Sequence, residues 1–139
     1  MANEIAEARQ RGGETEKMTV NIGVVDLGQV DLMVQEGFYS NRSDLVRTAV
    51  RNQLASHAEV LKQTVARRTL TLGLRHCSRA DLEQAVASGQ RLRIEVVGLA
   101  RIAEDVTPEL ARAAIESVSV LGAFHASAAV RRALADRMI

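Results

Sequence analysis

Seven residues near the start of the chain, Lys17-Met-Thr-Val-Asn-Ile-Gly23, alternate between polar and apolar side chains. Met18, Val20 and Ile22 fall on one side and Lys17, Thr19 and Asn21 on the other, which is the period-two pattern of a half-buried β-strand. A strand this short, Met18 to Ile22, cannot satisfy its own backbone hydrogen bonds, and even a two-stranded hairpin is marginal in water. Two helical patterns follow it. The arrangement that resolves the problem is pairing of the same segment from two chains into an antiparallel ribbon. The apolar sides of that ribbon would press onto a core of four helices, two per chain, so that folding and dimerisation are one event. Its other side would carry a cation, a hydroxyl and a carboxamide from each chain, the groups that match base edges in a DNA major groove.

The first helical pattern covers Leu27 to Glu36, with Leu27, Val30, Met33 and Val34 inward. Asp26 stands as its N-cap and Gln29 three residues on, a capping-box spacing. Gly28 lowers its helical propensity by about 1 kcal/mol relative to Ala. Gly37 suits the C′ position, and Phe38 and Tyr39 form the connector. Asn41 is the next N-cap, with Asp44 at N3. Leu45, Val46, Ala49, Val50 and Leu54 then recur at three- and four-residue spacing. Glycine and proline are absent between Phe38 and Leu72. The helix therefore either continues through Val60, Leu61 and Val65 or restarts near Ser56, and periodicity leaves both open.

Charge distribution supports a polyanion partner more than total charge does. The net charge of the 139-residue chain is only +1. Between Ser40 and Arg68, however, Arg42, Arg47, Arg51, Lys62, Arg67 and Arg68 face only Asp44 and Glu59, a local excess of +4. Such a patch matters more to phosphate than the whole-chain sum. Arg47 and Arg51 read as a solvated helix face. Phe38, Tyr39 and Phe124 are the only aromatics, so base stacking on aromatic platforms is not expected as the main binding device and the core must be aliphatic. Cys77 is the single cysteine, which points to a reducing, cytoplasmic compartment. No apolar run is long enough to span a bilayer, and the N-terminus lacks the apolar core of a signal peptide.

From Thr69 onward the texture changes. Leu70/Leu72, Ile94/Val96 and Val118/Val120 recur at a 24-residue step, and Gly98 and Gly122 keep it. A helix start follows each strand-like run. Ser78 precedes Asp81 in a capping box, with Gly89 closing that helix; Thr107 caps a helix with Pro108 at N1; Ser127 caps Ala128 to Asp136. Three β-α units of this kind imply parallel strands joined by helical crossovers.

The segment from Glu16 to Ser56 resembles the ribbon-helix-helix family of bacterial repressors, the Arc, MetJ and CopG type. The resemblance is carried by the strand Lys17-Met-Thr-Val-Asn-Ile and by Gly37-Phe-Tyr-Ser-Asn-Arg-Ser-Asp-Leu-Val-Arg-Thr-Ala-Val, of which the string from Gly37 to Asp44 is the more specific part. It implies that Lys17, Thr19 and Asn21 contact bases and that Asn41, Arg42 and Ser43 meet phosphate at the start of the second helix. It further implies that Met18, Val20, Ile22, Leu45, Val46, Ala49 and Val50 form a homodimer core.

The expected organisation is α+β. An N-terminal arm (1–15) precedes a β-α-α ribbon-helix-helix unit that forms an intertwined dimer (16–56). A helical connector (57–68) then leads to a small α/β C-terminal domain of β-α units (69–139), expected to serve oligomerisation or to bind a partner or effector. The expected function is a sequence-specific double-stranded DNA-binding regulator, a repressor, acting as a homodimer that the C-terminal domain could join into a larger assembly. The alternative is an antitoxin or plasmid accessory protein whose C-terminal half binds a protein partner. No cofactor is implied. Metal binding is disfavoured because the chain lacks a His-x-His pair and His76 and Cys77, adjacent on a strand, point to opposite faces. No phosphate-binding glycine loop, nucleophile elbow or paired-histidine metal motif supports an enzyme.

Overall fold

The computed structural model describes residues 14–139. All but the last two residues of the expected arm lie outside the described residues. The described residues form two compact units, one of residues 17–64 and the other of residues 65–139 together with residues 14–16.

In the first unit, residues 17–23 form neither strand nor helix. The strand expected over Met18 to Ile22 is thus not formed in the single chain. A strand exists only through a ladder, and among the described residues this segment meets no backbone partner in its own chain. Helix α1 (Val24–Gln35) begins earlier than its sequence signals indicate. Gly23, not Asp26, is the N-cap, and the Leu27 amide donates to the Gly23 carbonyl at 2.9 Å. Asp26 instead lies in the first turn, where a carboxylate favours the positive end of the helix dipole. Gln29 donates its side-chain amide to the Val25 carbonyl at 3.3 Å rather than closing a capping box.

At the other end of α1, Gly37 takes a left-handed φ of +84°. The Phe38 amide then donates to the Met33 carbonyl at 3.0 Å and the Gly37 amide to that of Val34 at 3.1 Å. This is the Schellman closure that the glycine makes cheap. Helix α2 (Arg42–Ser56) is capped by Asn41, whose side-chain oxygen accepts the Asp44 amide at 2.8 Å. Helix α3 (Ala58–Arg67) follows after a break at His57, so the second helical pattern restarts rather than runs on.

The second unit is a three-stranded parallel sheet in the order β1 (Thr71–Cys77), β2 (Leu92–Ile102), β3 (Ile115–His125). Helices α4 (Arg79–Ala87), α5 (Pro108–Ala114) and α6 (Ala128–Ala133) follow the strands in turn. The caps are those expected. Ser78 and Asp81 form a full capping box, Thr107 accepts the Leu110 amide at 3.2 Å ahead of Pro108, and Ser127 accepts the Val130 amide at 3.2 Å. Helix α6 ends before Asp136, and a short 3-10 turn (Ala135–Arg137) replaces its expected last turn.

The core lies between the helices and one face of this sheet. Ile94, Val96, Ala100, Ile102, Val118 and Phe124 are buried from the strands, with Leu82, Ala111, Val130 and Leu134 among the side chains covering them. Gly73, Gly98 and Gly122 stand side by side in register, all with positive φ. A Cβ on Gly98 would lie 2.1 Å from the Gly73 carbonyl oxygen, and one on Gly122 equally close to that of Gly98. The ladder of glycines is what lets the three repeats stack.

Candidate nucleic-acid interface

Lys17, Thr19 and Asn21 are all exposed. So are the residues between them: Met18 is 75% exposed, Val20 60% and Ile22 43%. The segment thus presents both its polar and its apolar residues to solvent.

The helices behind it repeat the pattern. Not one residue of α1, α2 or α3 is buried. Leu27, Val30, Val34 and Leu45 are half-buried, while Leu32, Met33, Val46, Val50 and Leu54 are exposed. Ala49 is exposed as well. Of the residues expected to form a dimer core, then, only Leu45 is partly covered within one chain. Scattered exposed apolar residues are ordinary, but here they occur on three helices that have no buried residue at all.

The N-terminal turn of α2 is the second part of the site. Asn41 spends its side chain on the cap, and the Ser40 amide donates to the Asp44 carboxylate at 3.0 Å. The first-turn amides of Arg42 and Ser43 have no intrahelical acceptor, which is the general condition of a helix start.

The Arg42 side chain does not extend freely. Its Nε donates to Asp31 Oδ1 at 2.7 Å and its Nη2 to Asp31 Oδ2 at 2.8 Å, a two-pronged fork linking α2 to α1. This pairing holds the Asp31 carboxyl below its ordinary pKa and the Arg42 guanidinium above its own. Both side chains remain about half exposed, so water and a competing anion can reach them. Sequence reading missed Asp31, because a partner eleven residues away across a helix-helix turn has no periodic signature. Arg47 and Arg51 are exposed on α2.

His76 and Cys77 diverge as alternation on a strand requires. Cys77 is 3% exposed and burial pushes its thiol pKa up, whereas His76 lines an open cavity at the surface. They cannot hold one ion between them. Among the described residues, no helix is long and apolar enough to cross a membrane.

No curated protein and no solved structure matches the chain. A family model does, and over most of its length: residues 13–131 match the Ribbon-Helix-Helix transcriptional regulator family, and the chain belongs to that family of DNA-binding regulators.

Proposed function

We propose that the protein is a sequence-specific repressor that acts as a homodimer and reads the major groove with a ribbon of two Lys17–Gly23 segments. The observation that carries this reading is the lack of a core in residues 17–64. Met18, Val20, Ile22, Val46, Val50 and Leu54 stand exposed in the single chain. A second copy supplies both what the strand lacks, a backbone ladder, and what the helices lack, an opposing apolar surface. Burial of that surface at about 25 cal/mol per Å² is the main driving force for such an interface.

With Met18, Val20 and Ile22 turned to the helices, alternation turns Lys17, Thr19 and Asn21 to the DNA. Asn pairs with adenine N6 and N7, Lys donates to guanine, and Thr meets a thymine methyl or an acceptor. The amides of Arg42 and Ser43 and the α2 dipole favour a phosphate. For Arg42 to add its charge, phosphate must displace or share the Asp31 fork. Two-fold symmetry of the ribbon calls for a pseudo-palindromic operator.

Gel-shift titration on sites selected from random DNA, run at several salt concentrations, tests the reading. Asn21→Ala should relax preference at one base position per half-site. A variant that binds every sequence as the parent does would count against ribbon readout.

A further inference from the structure

The carboxyl edge of the parallel sheet carries a second constellation. His76, Arg101 and His125 occupy equivalent positions in the three β-α units, each three residues after the ladder glycine. They stand directly opposite one another, His76 beside Arg101 and Arg101 beside His125. Their strand neighbours Cys77, Ile102 and Phe124 are buried toward the helices, so alternation turns the row to the open side. All three line one cavity with Ser127, Glu104 and Asp105. The carboxyl ends of parallel strands are where sheets of this type collect ligands, because the connecting loops open there.

Two carboxylates of the same chain already sit on this row. His125 Nε2 is 2.9 Å from Glu16 Oε1 and its Nδ1 is 3.6 Å from Glu14 Oε2. Arg101 donates Nη2 to Glu14 Oε1. Glutamates two residues apart thus present a pair of carboxylates to one imidazole and the adjoining guanidinium, while His76 extends the row beyond them. The convergence of a guanidinium fork and imidazole nitrogens is donor chemistry suited to carboxylate. Glu104 and Asp105 also line the cavity and oppose any anion, so binding rests on the row itself and not on the net charge of the cavity.

We propose that His76, Arg101 and His125 form a binding site for a small ligand with two or more carboxylate groups, and that Glu14 and Glu16 are its built-in occupant. An external di- or tricarboxylate competes with them for the row. Being tethered, the glutamates act at high effective concentration and lower the ligand's apparent affinity.

The test uses the full chain, citrate as the probe and the histidine ring signals in NMR, at constant ionic strength set with chloride. His57, at the α2–α3 break, serves as an internal reference. Citrate should move the His76 and His125 signals and leave that of His57 in place. The double variant Glu14→Gln/Glu16→Gln should bind citrate about tenfold more tightly than the parent chain. Adding Arg101→Gln to it should lose at least about tenfold. Inorganic phosphate should act more weakly than citrate. Equal citrate affinity of the parent and the double variant, no movement of His76 and His125, or an equal response to phosphate would each overturn the proposal. None of these readouts depends on DNA binding.

Discussion

Residues 17–64 and residues 65–139 follow the same local rules and end in opposite states. Both halves have capped helices with apolar residues at regular spacing. Asn41 does for α2 what Ser78 does for α4, and Gly37 closes α1 as Gly89 follows α4. Yet the buried apolar side chains of the described structure all fall between Cys77 and Leu134. The C-terminal unit closes because its strands find each other within the chain and its helices cover them. The N-terminal unit has no sheet to cover, and helices as short as α1 and α2 are marginal without tertiary packing. Capping and periodicity therefore set where helices form, while burial decides whether they persist.

The sharpest way to break this contrast is to damage the C-terminal unit alone. Gly98→Ala places a Cβ against the Gly73 carbonyl at a φ of +134°. Backbone strain and overpacking each cost about 1–3 kcal/mol, so the sheet should lose about 2–6 kcal/mol, read as a lower denaturant midpoint. An unchanged midpoint would mean that the glycine ladder is not a close contact.

Next, Leu82→Ala and Leu45→Ala form a matched pair. Leu82 is fully buried in one chain and should cost about 2–5 kcal/mol in unfolding. Leu45 is only half-buried in one chain. It should cost as much only if a dimer covers it, and then the loss appears as a concentration-dependent transition. A small, concentration-independent effect at Leu45 would leave the dimer core without support.

At the proposed DNA surface, Asn21→Ala should cost about 1–3 kcal/mol on the preferred site and much less on random DNA, measured by gel shift. The two caps should each be worth about 1 kcal/mol when replaced by alanine. For Ser78→Ala that loss falls on the thermal midpoint, and for Asn41→Ala on the dissociation constant of the proposed dimer, separable by sedimentation.

The smallest effect is the most specific. Asp31→Asn frees Arg42 from its fork, so affinity for all sequences should rise and the salt slope steepen, with no effect of the change once Arg42→Ala is also present. The same fork predicts acid sensitivity. Asp31 is held below its ordinary pKa, so its contribution is complete above that value and is lost as pH falls through the lowered one. Asp31→Asn should blunt the acid-side loss of helical signal.

Much of the C-terminal unit was legible because its signals are local. Ser78, Thr107 and Ser127 act on amides within three residues, and the strand runs recur at an almost constant step. The glycine ladder and the His76–Arg101–His125 row were legible in principle. Gly73 stands 25 residues before Gly98, one more than the 24 that separate Gly98 from Gly122, and the row repeats at the third residue after each glycine. The start of α1 was misplaced because Asp26 satisfies the composition of a cap while the backbone turns helical already at Val24.

By itself, the sequence determined the alternation of Lys17 to Gly23, the helix limits set by Gly37, Asn41 and Ser78, and the β-α order of the second half, since each depends on hydrogen bonds or steric preferences spanning a few residues. Tertiary structure alone decided that Asp31 holds Arg42, that Glu14 and Glu16 reach His125, and that residues 17–64 remain without a core in one chain. Those outcomes depend on which distant surfaces meet, and contact between distant surfaces is set by the packing of whole elements, not by the residues adjacent in the chain.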